Sequence, residues 1–283
     1  MKKIGVVVCG NSGLDYIDHP YDIRMIRSVL IMGEDEYTDF VDIKADEFYD
    51  RIKADSALHP TTAQTATGVI LETYEKMKED GYDDIIVITI SSKLSGTYEG
   101  AILASNMIEG VNITVFDSKA LAYAEAYMAL EASRMAKEGK AVPEIIDRLS
   151  HIRENQGLLV SVDTLKYLVK NGRLSGASGF LGSVLKVKPM LHLSREGKVE
   201  PVEKIRTRQK ALNRIVEKFS EEVYEDGMDV FVIHANAYDA LDDVKNALKE
   251  RLPNVKTIHD YPLTPVVGAH AGHGALAIGW INK

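Results

Sequence analysis

The chain is poor in cysteine, in aromatic residues and in positive charge, and it has no long apolar run. One of its 283 residues is cysteine (Cys9) and one is tryptophan. A single thiol excludes an intrachain disulfide framework and a cysteine-rich zinc site. Lys plus Arg number 34 against 42 Asp plus Glu, giving a net charge of −8. That balance argues against nucleic acid as a partner, since a wide footprint needs phosphate-neutralising Lys and Arg. Nothing approaches the roughly 20 consecutive apolar residues of a membrane helix, so no integral membrane segment is expected. The apolar start at Ile4–Val8 ends at Cys9, too soon for a secretory h-region. Val8 also lacks the small side chain wanted before a lipoprotein cysteine. With 45% hydrophobic and 27% charged residues, the chain reads as a cytoplasmic globular protein.

What is present alternates between two periods. Strand-length apolar runs stand at Ile4–Val8, Ile85–Ile90, Ile113–Phe116, Leu158–Val162, Val230–His234 and Leu276–Ile281. Helical spacing fills Thr67–Asp80, Gly96–Ile108 and Ala120–Glu138. Apolar runs separated by amphipathic helices predict an α/β fold with a mostly parallel sheet over residues 1–155. From 156 to 283 the pattern changes. Lys188–Leu193 and Lys198–Ile205 flank Ser194-Arg195-Glu196-Gly197 as a hairpin, and helices follow over Ala211–Tyr224 and Ala240–Leu252. Strand pairs mixed with helices predict an α+β domain with antiparallel strands, packed closely on the first.

Four segments could carry chemistry. Ser91–Ala101 runs from a strong strand into a helix, and Ser95-Gly96-Thr97 would set hydroxyls and free N–H groups there to hold a carboxylate or phosphate. N-capping explains the same residues, and Ser95 lacks the upstream glycine of a nucleophile elbow. His59–Thr67 is a second hydroxyl-rich helix entry, and ligands of α/β domains sit where such entries converge. Pro265–Ala275 is glycine-rich with His270 and His273. No third ligand accompanies the two histidines, so His270 donating to an anion is preferred over a metal site. In Asn171-Gly172-Arg173 a helix C-cap aims Arg173, either at an anion or into a surface salt bridge. Lys204, Arg206, Arg208 and Lys210 form a basic cluster, a solvated face or a dock for an acidic partner. Cys9 ends a buried strand and reads as a packed thiol.

In order along nearly the whole chain, these blocks resemble the DegV family, whose members include the fatty-acid-binding subunit of bacterial fatty acid kinase. The resemblance rests on Ser91–Tyr98, Asp117-Ser118, Leu165–Arg173, Val187–Leu191, Lys204-x-Arg206-Thr207-Arg208 and Gly268-x-His270-x-Gly272. It implies one long-chain fatty acid, such as palmitate, buried between the two domains, with no cofactor and no catalytic residue. Thr62 and Ser95 would hold the carboxylate, with Arg173 and His270 lining that end. A separate ATP-using kinase subunit would convert the presented carboxylate to an acyl phosphate for lipid metabolism, so that the protein acts in lipid transport without doing chemistry. Arg206 and Arg208 are then the candidate docking residues. Phe180, Leu181, Val184, Leu185 and Met190 are candidate walls, and ordinary core packing explains them equally well.

The match departs from the family pattern at three places near the expected mouth. Cys9-Gly10-Asn11-Ser12 replaces Thr-Asp-Ser, Thr62-Ala63-Gln64-Thr65 replaces Thr-Ser-Gln-Pro, and Gly272-His273-Gly274 replaces Gly-Pro-Gly. The competing reading is a small-molecule phosphotransferase or hydrolase that uses His270 with Ser95, which would require a third group to orient His270.

Overall fold

The computed structural model describes residues 2–55, 57–176, 187–255 and 257–282. β1 (Ile4–Cys9) is followed by two 3-10 turns, β2 (Ile23–Ile26), β3 (Val29–Met32), β4 (Asp35–Thr38) and α1 (Ala45–Ala54). Next come β5 (Thr61–Ala63), α2 (Thr67–Glu79), β6 (Asp84–Thr89), α3 (Thr97–Ser105), β7 (Asn112–Asp117), α4 (Tyr123–Lys137) and α5 (Val142–Glu154). The remainder holds β8 (Gln156–Ser161), α6 (Lys166–Lys170), β9 (Lys188–Leu193), β10 (Val199–Ile205) and α7 (Arg208–Lys218), which runs into a π turn. It ends with β11 (Asp229–His234), α8 (Tyr238–Arg251), β12 (Ile258–Pro262), α9 (Pro265–Ala271) and β13 (Leu276–Ile281).

Three sheets result. The first, β2-β1-β6-β7, is parallel throughout, as its unbroken runs such as Ile85–Ile88 require of strands buried on both faces. The second is β10-β9-β8-β13-β11-β12. The expectation of antiparallel strands there holds at every pairing but one: β11 and β12 run parallel, joined by the crossover helix α8. A small antiparallel sheet, β4-β3-β5, has a two-residue turn led by Gly33 at φ +67°.

The layers follow from which faces are apolar. Val7, Ile85 and Val87 face Ile70 and Tyr74 of α2 and Ala101 and Ala104 of α3. On the other face Val6, Val8, Ile86 and Ile88 meet α4 and the inner face of the second sheet, represented by Leu158, Phe231 and Ala277. The outer face of that sheet, with Leu159, Met190 and Val232, is covered by α7 and α8. Helix α4 is therefore clasped between two sheets, and Ala124, Ala126, Ala129 and Ala132 are all buried in it. Small side chains let both sheets approach its axis closely. The expected start of this helix at Ala120 moves to Tyr123, because Ala122 sits at φ +54° and breaks the helical path.

Sequence patterning left β2–β5, α1, β12 and α9 unread. β4 and β5 are largely exposed stretches of 4 and 3 residues, too short to show a period. Within the glycine-rich segment 265–275, Pro265–Ala271 forms a helix opened by Pro265 and closed by Gly272 at φ +78°. Gly268, inside this helix, faces the rings of Tyr49 and Phe48, and a Cβ there would collide with both. Gly268→Ala should therefore lower stability by about 1–3 kcal/mol in urea unfolding, although helix propensity alone favours alanine by about 1 kcal/mol.

Candidate functional site

A cavity of about 430 Å³ lies between the first and second sheets, just beyond the N-terminal end of α4. Leu121 and Ala122, the residues before that helix, form part of its wall. The second sheet contributes aliphatic side chains at alternate positions: Leu158 and Val160 of β8, with Leu191 and Leu193 of β9. Met190, expected as a wall, points to the opposite face and packs against Leu212 and Ile215 of α7, because neighbouring strand residues face opposite ways. Phe180, Leu181, Val184 and Leu185 lie outside the described residues.

Polar groups gather at the edge nearest the first sheet. Thr62, Ser95, Arg173 and His270 all line this one cavity. Each arrives on a different element. Thr62 sits mid-strand in β5, paired with Leu30. His270 rides on α9, which packs on β3, β5 and α6. Its Nε2 lies 2.9 Å from Thr62 Oγ1. Ser95 follows β6 in a loop fixed by Ser92, whose hydroxyl donates to Asp117 at 2.6 Å. The Ser95 hydroxyl is 2.9 Å from Thr97 Oγ1 and accepts from the Thr97 N–H at 3.3 Å. The same serine thus supports the start of α3 and faces the cavity.

Arg173 leaves α6 through Gly172 at φ +70°. Its guanidinium donates to the carbonyls of Leu94 (3.2 Å) and Asn171 (2.7 Å), which aims it beside Ser95. Asn171 does more than cap α6. Its amide donates to Pro60 O (3.2 Å) and Ala269 O (2.9 Å), and its oxygen lies 3.2 Å from His59 Nε2. One side chain therefore ties together the segments that carry Thr62, His270 and Arg173. Beneath α9, Arg27 clamps Asp15 with two bonds of 2.8 and 2.7 Å and donates to the Asp39 carbonyl. The buried Asp39 carboxyl is raised to about 7 by desolvation, which Arg27 only partly offsets.

Burial, with smaller contributions from nearby Arg173 and His59, lowers the pKa of His270 to about 4. The imidazole is neutral at physiological pH, and its buried Nδ1 has no hydrogen-bond partner. Ser95 is partnered by Thr97 rather than by His270. Among the described residues no three His, Cys, Asp or Glu side chains are grouped to hold a metal. Cys9 is buried, and its thiol is raised by desolvation and the neighbouring Glu125 carboxyl, which makes it a poor nucleophile.

Arg206 and Arg208 do not line the cavity. Arg206 is exposed, whereas Arg208 donates twice to Asp239 and lies 3.9 Å from Asp163. Three polar cavity residues were not singled out as site residues: Asn11, Ser28 and Gln64. Asn11 and Gln64 belong to segments expected near the mouth, whereas nothing in the sequence pointed to Ser28.

Fold and site together define an α/β protein that encloses an apolar chamber closed at one edge by hydrogen-bonding side chains. The DegV family model, described as "Uncharacterised protein, DegV family", matches residues 3–283. A DegV domain-containing protein of Staphylococcus aureus is 36% identical over 285 aligned positions, covering 99% of this chain and 98% of the relative. Among solved structures, the fatty acid binding DegV family protein from Streptococcus agalactiae superposes with a TM-score of 0.91 at 25% identity, covering 100% of both chains. DegV, a fatty acid binding protein from Bacillus subtilis, superposes at 0.85 with 32% identity, again over 100% of both. The chain belongs to the DegV family.

The histidine provides a direct check. His270 should titrate with a midpoint near pH 4 in two-dimensional NMR. Its folded pKa lies below the unfolded value of about 6.5, so its contribution to stability is complete above pH 6.5 and declines as pH falls toward 4. His270→Gln should therefore lose about 1–3 kcal/mol less than wild type between pH 7 and pH 4 in urea melts.

Proposed function

We propose that the protein binds one long-chain fatty acid, its alkyl chain in the aliphatic chamber and its carboxylate at Thr62 and Ser95, with Arg173 and His270 flanking the head group. The observation that carries this reading is the division of the cavity: aliphatic residues over the second sheet, and a threonine, a serine, a neutral histidine and an arginine at the opposite edge. A volume of about 430 Å³ lies within the roughly 300–1,000 Å³ of sites that take small organic ligands. The fatty-acid-binding relatives named above support the same ligand class.

Magnitudes divide the labour. Each buried methylene contributes about 0.8 kcal/mol, so about 14 of them give roughly 11 kcal/mol gross. Association costs about 4–15 kcal/mol, and one charge-assisted hydrogen bond returns about 1.5–3 kcal/mol. The chain supplies affinity, and Thr62, Ser95 and Arg173 fix where the carboxylate rests. Thr62 can donate to a carboxylate while neutral His270 accepts or relays its proton, and Arg173 adds a fixed positive charge without quenching itself in a salt bridge.

The bound carboxylate is then presented to a separate ATP-using kinase subunit for acyl-phosphate formation. Among the described residues Ser95 and His270 share no hydrogen bond and no carboxylate orients His270, which supports a carrier over a hydrolase or phosphotransferase. In the basic cluster Arg206 is the residue available for docking, since Arg208 is engaged with Asp239.

Native mass spectrometry of purified protein, followed by lipid extraction, should find one fatty acid per chain. An empty protein that also refuses added fatty acid overturns the reading. Ser95→Ala should still bind, with affinity reduced about five- to twentyfold in competition assays, because the alkyl chain dominates. Arg206→Glu should weaken association with the kinase subunit in pull-down assays while leaving lipid content unchanged.

A further inference from the structure

Asn11 belongs to Cys9-Gly10-Asn11-Ser12, where the chain departs from the family pattern. It stands in the 3-10 turn after β1, is 4% exposed and lines the cavity together with Thr62 and Ser95. β1 and β6 are parallel neighbours, so the turn carrying Asn11 and the loop carrying Ser95 leave the first sheet at the same edge. Behind Asn11 lies Glu125, in the first turn of α4. The Asn11 amide Nδ2 is set 2.6 Å from Glu125 Oε2. Glu125 is fully buried, and its other oxygen, Oε1, has no hydrogen-bond partner. No lysine or arginine among the described residues pairs with it, and the titratable groups beside it are the Cys9 thiol and the Asp117 carboxyl.

A carboxylate in this place would leave a charged oxygen buried and unpartnered, a cost larger than the pull of the helix N-terminus can offset. Burial, reinforced by Asp117, pushes the Glu125 pKa well above the usual carboxyl value, more than Asn11 and Cys9 hold it down. A neutral carboxylic acid has one O–H to give and needs an acceptor for it. A separation of 2.6 Å is typical of O–H···O and short for N–H···O. The two ends of an amide exchange places by a half-turn. With the acid protonated, the Asn11 carbonyl oxygen takes its O–H and the amide NH2 is left for the cavity. We propose that Glu125 is a buried neutral acid that donates to Asn11 Oδ1, and that Asn11 Nδ2 is a third donor to the bound ligand's carboxylate beside Thr62 and Ser95. Glu125 is the positioning residue for Asn11. A donor fixed in this way favours an anionic head group, so the pair selects free fatty acids over their neutral esters. This deepens the fatty-acid reading and rests on it.

Two measurements test the pair. The infrared difference spectrum between wild type and Glu125→Gln at pH 7 should contain the C=O stretch of a protonated carboxyl, and carboxylate bands in its place overturn the proposal. Competition assays on delipidated protein then compare a sixteen-carbon acid with its methyl ester. Asn11→Leu, combined with Glu125→Leu so that no buried carboxyl is stranded, should weaken the acid about tenfold, equivalent to about 1.4 kcal/mol. The ester should change by less than about twofold. Asn11→Ala gives the same contrast if the double variant does not fold. Unchanged or tighter acid binding overturns the proposal, since that is the result of removing an oxygen that faced the carboxylate. An equal loss for acid and ester overturns it too. Wild-type protein that takes up neither acid nor ester overturns the fatty-acid reading itself.

Discussion

The architecture depends on holding one helix between two sheets. α4 has a sheet above and a sheet below, and neither sheet could close on it if its contact positions carried larger residues than Ala124, Ala126, Ala129 and Ala132. A helix is about 10–12 Å across with its side chains, so α4 holds the two sheets apart by a fixed amount. Where α4 begins, at Tyr123, the separation persists but the filler stops. The space left over is the chamber, and its walls are the sheet faces that the helix would have covered.

Two further contacts keep this space in register with its polar edge. Asn171 binds the backbone of the segments leading to Thr62 and His270, so the edge is assembled from β5, α6 and α9 by a single amide. On the opposite flank, the Ser91 hydroxyl donates at 2.7 Å to the carbonyl of Gly197, at the tip of the β9–β10 hairpin. Gly197 has φ +81° and no room for a Cβ beside Ser91. The hairpin from the second sheet is thus fastened to the loop that carries Ser95. Neither half forms the site alone.

What could be read from sequence follows from what each residue answers to locally. Ile85–Ile90, Val230–His234 and Leu276–Ile281 announce themselves because a strand buried on both faces needs an unbroken apolar run. Thr62, Ser95, Arg173 and His270 were reachable through motif order, and the structure brings all four to one cavity. For Met190 two readings stood open, chamber wall or ordinary core, because an apolar strand residue does not reveal which face it takes; it packs in the core, and its neighbours Leu191 and Leu193 reach the chamber. α9 was invisible because Gly268 and Gly272 look like loop residues until Tyr49, Phe48 and Tyr167 are seen to occupy the space a Cβ would need. Asn11 and Glu125 are far apart in sequence, and it is the packing of α4 against the turn after β1 that joins them.

The clasped helix also acts on the chamber from a distance. Because α4 sets the spacing between the sheets, the bore of the chamber is fixed by alanines that need not touch anything inside it. Enlarging one of them, at Ala129 or Ala132 on the second or third turn, would spread both sheets as a wedge does and loosen the fit around a ligand along its whole extent. Substitutions at Leu191 or Val160 would instead act only where those side chains line the chamber. A change of overall spacing and a change of local fit are therefore under the control of different parts of the chain.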